Sequence, residues 1–320
     1  MTHNPDISHS SQGGSGWRPR PTSLAQELGT LWATSGIDSE YAPLRHVILH
    51  TPGDELAASM DPDAVNMIAP LDLAKARAQH TQMAAAYRRL GVTVTELAPQ
   101  GLPLANQMFM ADVFVMTPEG AILGRPASSV RAGEERQAAR RLADLGVPIV
   151  RSISGRGTFE GADLMWLDPD TAIIGRGLRT NDDGAAQLTQ YLAQSGRSAI
   201  VVDLPYGTMH LMGMLRIISP MLAIAWPTRL VHRGVEALRA RGITVQFAPD
   251  TDELRGGMAM NFVVVAPNTI LVAANNPISL AFYKSLGITC IETPVDELAK
   301  AAGAIGCLTG IVARERIQPA

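Results

Sequence analysis

Apolar residues in this chain recur in short blocks, and the blocks recur in step. Five times a helix-like stretch ends in a glycine followed at once by a strand-like run: Leu90-Gly91-Val92-Thr93-Val94, Leu145-Gly146-Val147, Ser195-Gly196 leading into Ala199-Ile200-Val201, Arg241-Gly242-Ile243-Thr244-Val245, and Leu286-Gly287-Ile288-Thr289-Cys290-Ile291. The glycines step by 55, 50, 46 and 45 residues. Each suits the residue just past a helix, where a left-handed backbone is needed, and the β-branched residues behind it suit a buried strand. A second signal runs out of phase with the first. Two apolar runs flank a proline in Val113 to Arg125, Leu164 to Arg176, Leu215 to Pro227 and Phe262 to Ala274, and the prolines (Pro118, Pro169, Pro220, Pro267) step by 51, 51 and 47. Such a pair around a turn residue reads as a β-hairpin. Leu44 to His50 and Leu308 to Ala313 read as partial copies that would join the chain ends.

Two signal sets in step predict a unit of hairpin, helix and strand, about fifty residues long and repeated five times. The fold class expected is α/β, a five-fold pseudosymmetric α/β propeller with its helices outside. An open doubly wound sheet is the rival, but it predicts single strands alternating with helices and gives no reason for hairpins. By length alone the 320 residues would allow two domains. The repeats make residues 39–320 one domain instead, behind a flexible tail, residues 1–38, polar and rich in Ser and Gly at its start and with a short helix expected within Ser23 to Ser35.

Composition narrows the function classes. A net charge of −3 leaves no electrostatic footprint for nucleic acid or an anionic membrane surface. No apolar stretch reaches the roughly 18 to 20 positions of a membrane span, and Met1 to Trp17 lacks the apolar region of a secretory signal. A cytoplasmic location is the expectation, with a homo-oligomer left open. Two cysteines, Cys290 and Cys307, cannot build a disulfide framework or a four-thiolate zinc site. His46 and His50 would share a strand face without a third ligand, so no metal is expected. Gly155-Arg156-Gly157 lacks the strand and third glycine of a dinucleotide fingerprint, and no cofactor is expected.

In a radial repeat the loops ahead of each hairpin converge even when far apart in sequence. They carry Asn106 to Asp112, Phe159-Glu160-Gly161-Ala162-Asp163, Met209-His210-Leu211-Met212-Gly213, Met258 to Asn261, and Gly303 to Cys307. One thiol, one imidazole and at least two carboxylates should therefore share a pocket. That set suits nucleophilic attack on a cationic carbon: a thiol to attack, carboxylates to hold the cation, an imidazole to move protons. Cys290, inside an apolar run, reads as a small core residue, and the methionines at 108, 110, 116, 258 and 260 read as core filler.

The ordered set of acidic loop, FEGxD-like loop, HLxx loop and glycine-flanked cysteine resembles the pentein, or guanidino-group-modifying, superfamily: arginine deiminase, dimethylarginine dimethylaminohydrolase and glycine amidinotransferase. The resemblance spans about Leu44 to Arg314. It implies a small guanidino substrate, with Cys307 as nucleophile, His210 as general acid and base, and Glu160 orienting the histidine and the cation. It also implies that Asp112 binds the guanidinium, with Arg131 and Arg179 clasping the substrate carboxylate. Asn106 is carried over on weaker grounds, and Asp163 more as a structural group. Three positions depart from the arginine deiminase pattern or that of many relatives: Met212 where an aspartate is usual, Ala111 where an arginine precedes the loop aspartate, and Gly306 where a histidine precedes the cysteine. An apolar Met212 would suit an alkylated nitrogen better than bare N–H donors. The implied activity is a cysteine-dependent hydrolase of dimethylarginine or arginine type, working through an amidino-thioether. Alternatives are an amidinotransferase and a non-catalytic binding module like the ring-shaped translation initiation factor six.

Overall fold

The computed structural model describes residues 17–56 and 61–317. The strands fall into five sheets of three. In one, Phe114–Met116 pairs antiparallel with Ala121–Leu123, which pairs parallel with Ile149–Ser152. The pattern repeats for Leu164–Asp168, Thr171–Arg176 and Ser198–Asp203, for Leu215–Ser219, Leu222–Ala225 and Thr244–Phe247, and for Val263–Ala266, Thr269–Ala273 and Thr289–Thr293. In the fifth sheet the hairpin is made from the two ends of the chain. Gly310–Arg314 pairs antiparallel with Leu44–Leu49, which pairs parallel with Thr93–Glu96. The ring therefore closes on itself, as the end copies of the repeat predict.

A helix joins the second and third strand of each unit: Leu73–Arg89, Glu134–Asp144, Asp182–Gln194, His232–Arg239 and Pro277–Ser285. The five repeat glycines all follow these helices with φ between 73° and 76°, so each is the left-handed residue that ends its helix without the cost of a Cβ. Burial sets the radial order. Inner strands such as Phe114–Met116 and Leu215–Ser219 are buried throughout, whereas third strands such as Ile149–Ser152 and Thr244–Phe247 expose both ends.

Residues 1–16 of the expected tail lie outside the described residues. From Ala33 on, the segment lies against the domain: Ala33 N–H donates to the Gly146 carbonyl (2.9 Å), Gly36 N–H to that of Val312 (2.8 Å), and Asp38 accepts from Ile317 N–H (3.1 Å). The short helix is Leu24–Glu27, held by a Ser23 and Gln26 capping box. Among the described residues no helix is long and apolar enough to cross a membrane.

Candidate functional site

Each inner strand is preceded by a tight turn. Four are single helical turns, Met110–Val113, Gly161–Asp163, Leu211–Gly213 and Ile305–Leu308, and the fourth unit turns at Ala259 and Met260. These turns carry Asp112, Glu160, His210, Asn261 and Cys307 to the ring's centre. Their packing is close enough to dictate residue type: a Cβ on Gly161 would stand 2.4 Å from the Phe114 carbonyl oxygen and 2.5 Å from that of Ala111.

Three of these groups, Asp112, Glu160 and His210, form one buried charge cluster with Arg131 and Glu134. His210 Nε2 lies 2.6 Å from Glu160 Oε2 and 3.8 Å from Asp112 Oδ1. Arg131 donates through Nη1 to Asp112 Oδ2 (2.7 Å) and Glu160 Oε2 (3.4 Å), and through Nε and Nη2 to Glu134 Oε2 (3.0 and 2.8 Å). Burial alone would lower the His210 pKa, but the carboxylates of Asp112, Glu160 and Asp163 outweigh it and raise it to about 9. Burial works against ionisation of Glu160 too, yet His210, Arg131 and Arg179 hold it well below the usual carboxylate range. At neutral pH the imidazole is protonated. Two carboxylate oxygens of the cluster are buried without a hydrogen-bond partner, Asp112 Oδ1 and Glu134 Oε1, and of these two residues only Asp112 lines a cavity beside Cys307.

Cys307 is 7% exposed. Burial, followed by the charge of Asp112, pushes its thiol up to about 11, against the pull of the Asn261 hydrogen bond and the Arg216 cation. Without a ligand the thiol is protonated at neutral pH. A second cation brought to Asp112 would remove the charge that opposes the thiolate.

Two cavities meet at Cys307. The smaller, about 280 Å³ with its mouth, gathers the polar side chains of Asn66, Asn106, Asp112, Arg131 and Arg179 beside Phe109, Met209, Ala301 and Ala302. The larger, about 870 Å³ with its mouth, is lined by His210, Asn261 and a set of methionines. Arg179 Nη1 donates to Glu160 Oε1 (3.2 Å) while its side chain stays partly exposed. Asn106 faces the smaller cavity and donates to the Val65 carbonyl (2.7 Å). Met212 lines the larger cavity. Asp163 lines neither; its oxygens accept from Leu211 N–H (2.8 Å) and Thr180 Oγ1 (2.7 Å), which anchors the turn that carries His210. Burial raises its pKa to about 6. Cys290 is half-buried in the strand Thr289–Thr293, packed against the core.

The methionines divide. Met108, Met110 and Met116 are core, as their reading as filler predicts; Met260 is core too but also lines the larger cavity, and Met258 lines that cavity beside Cys307. A run of methionines cannot reveal which of them the topology turns inward. Sequence reasoning also assigned no role to Asn261, Glu134 and Arg216. Glu134 opens the helix Glu134–Asp144 three residues after Arg131, across the left-handed Gly133 (φ 103°), so no helical spacing signals the pair. Arg216 interrupts the apolar run Leu215–Ser219 and is buried, donating through Nε to the Met260 carbonyl (3.0 Å). A charged residue inside such a run is the signal that could have found it.

Asp112, Glu160 and His210 each offer a ligand atom, all within 4.8 Å of one another. The imidazolium has no lone pair to give a metal, and Arg131 already supplies a cation to both carboxylates.

The arginine deiminase family model matches residues 101–218. N(G),N(G)-dimethylarginine dimethylaminohydrolase of Pseudomonas aeruginosa is 26% identical over 267 residues, covering 83% of this chain and 98% of that protein. The DDAH2 protein of Bos taurus is 30% identical over 171 residues, 52% of this chain and 58% of its own length, so the chain spans little more than half of that relative. A dimethylarginine dimethylaminohydrolase adduct with S-methyl-L-thiocitrulline superposes with a TM-score of 0.70 at 25% identity, over 83% of this chain and 98% of the other. SxtG, an amidinotransferase from Microseira wollei, shares the fold with a TM-score of 0.71 at 16% identity, over 88% and 97%.

Proposed function

We propose that the chain belongs to the guanidino-group-modifying superfamily and is a cysteine-dependent hydrolase of the C–N bond of a guanidino substrate. The observation that carries this reading is the vacant, buried Asp112 Oδ1 beside an imidazolium and a thiol that different units of the ring bring to one centre. A guanidinium supplies the missing N–H donor and the missing positive charge together. Its arrival favours loss of the Cys307 thiol proton to water, and the thiolate sulfur attacks the guanidinium carbon. The resulting tetrahedral centre collapses as the C–N bond breaks with its electron pair on nitrogen, and His210 protonates the departing amine. His210, now neutral, takes a proton from water as the hydroxide adds to the amidino-thioether. The S–C bond then breaks to release a ureido product and regenerate the thiolate. Glu160 keeps the imidazole in place through both proton transfers, and Arg179 is the partly exposed cation for a substrate carboxylate.

The substrates proposed are dimethylarginine and arginine, the first favoured by Met212 at the wall where a polar partner for bare N–H groups is missing. The larger cavity, which opens beside both Cys307 and His210, supports a second reading in which an acceptor amine replaces water. Incubation with arginine, Nω-methylated arginines and other guanidines, with and without an acceptor amine, separates the readings by product. Ureido compound supports the hydrolase, and a new substituted guanidine supports the transferase. No turnover of any compound, with Cys307 inert toward a haloacetamidine, would leave only a binding module.

A further inference from the structure

Cys307 stands on the wall between two cavities of unlike chemistry, and the groups around it are divided between them. Asp112, which would hold the guanidinium charge, lines only the smaller cavity, whereas His210, which would protonate the departing nitrogen, lines only the larger one. The leaving side of the substrate therefore faces a space walled by Met212, Met214, Met258, Met260, Leu254 and Trp226. The geometry points to a substrate class of guanidines that carry a bulky apolar alkyl or aryl group on the nitrogen that leaves, with this lobe as its binding site. The inference rests on the reading of Cys307 as nucleophile toward a guanidine, and extends it to the leaving group.

Size and composition support it. The lobe, about 870 Å³ with its open mouth included, has room beyond two N-methyl groups, and its two arginines already have partners: Arg229 stacks on Trp226 (5.1 Å) and Arg255 pairs with Asp250 (3.0 Å). Methionine side chains adapt to an irregular apolar guest, and an unsubstituted N–H pair directed at them would find no acceptor. The backbone is also held under strain here. Met258 (φ 55°) and Ala302 (φ 71°), neither of them glycine, adopt the left-handed conformation and both line the lobe.

The test is a series of Nω-substituted arginines from methyl through ethyl, propyl and butyl to benzyl. It measures kcat/KM with the wild-type chain and equilibrium affinity by calorimetry with Cys307→Ser. The expected result is a rise of about fourfold per added methylene in both quantities, the fold-change equivalent of about 0.8 kcal/mol per buried CH2. Gly213 lines the lobe, and a Cβ there meets no atom within 4 Å. Gly213→Leu should therefore lower the butyl-to-methyl ratio at least tenfold by filling the space. Turnover or affinity that is flat or falls with chain length overturns the inference while leaving the hydrolase reading standing. If no compound is turned over, the hydrolase reading fails. The affinity series with Cys307→Ser then decides the lobe by itself, a rise supporting it and a flat series overturning it.

Discussion

Asn261 holds Cys307 at two points: its Oδ1 accepts the cysteine backbone N–H at 3.1 Å and its Nδ2 donates to the thiol sulfur at 2.9 Å. The first contact fixes the amide, because a backbone N–H can face only the oxygen. The second then places a donor on sulfur that stabilises the thiolate. Asn261→Ala should raise the Cys307 pKa further and slow alkylation at a given pH, measured by the pH dependence of iodoacetamide labelling. Labelling by a cationic haloacetamidine should outpace iodoacetamide in the wild type, since that reagent brings its own charge to Asp112, and Asp112→Asn should remove the advantage.

His210 should titrate with a midpoint of about 9, seen in the imidazole signals by NMR, and Glu160→Gln should bring that midpoint down. A folded-state pKa above the unfolded value of about 6.5 means the proton is held more tightly by the folded chain. The stability it contributes is complete below about pH 6.5 and is lost as pH rises through 9. Thermal unfolding between these values should fall more steeply for the wild type than for His210→Gln. A midpoint near 6.5 would contradict the carboxylate cluster around it.

Arg131 binds three carboxylates in this structure, Asp112, Glu134 and Glu160, and is itself buried. Removing it leaves those charges without their shared cation, which costs about 3–5 kcal/mol for a buried pair broken on one side. Arg131→Met should accordingly lower unfolding free energy by that order in denaturant titration, whereas Arg179→Met, a partly exposed cation, should raise KM for a substrate with a carboxylate and leave stability within about 1 kcal/mol.

Gly306 packs against the ends of two buried side chains. A Cβ there would stand 2.4 Å from Arg216 Nη2 and 2.7 Å from Asn261 Oδ1. The space that a histidine side chain at this position would need is taken by Arg216, a buried arginine on the inner strand Leu215–Ser219 two units away. Gly306→Ala should displace Asn261 or Arg216 and raise the Cys307 pKa, read by the same alkylation profile. An unchanged profile would show that neither residue supports the thiolate.

The architecture was legible because its determinants are local. Gly91 and its four counterparts must be left-handed wherever a helix stops, and prolines such as Pro169 mark the turns between paired strands, so the period shows in the sequence itself. Asp112, Glu160, His210 and Cys307 were legible through their position ahead of the hairpins. What was hidden depends on side-chain direction across units. Arg131 lies 29 positions from Glu160 and 19 from Asp112, and only the closed ring shows that its guanidinium meets both. Asn261 and Cys307 are 46 positions apart, and Met258 and Met110 look alike in sequence although one lines a cavity and the other fills the core.

The central claim is that Cys307 forms a covalent bond to the guanidine carbon. Rapid-quench intact-protein mass spectrometry during turnover of an Nω-substituted arginine tests it most directly. The account predicts a transient mass increase equal to the amidino fragment of the substrate, mapped to Cys307 by peptide sequencing, with one amine released before one ureido product. Turnover with no adduct on Cys307, or undiminished in Cys307→Ser, would contradict it.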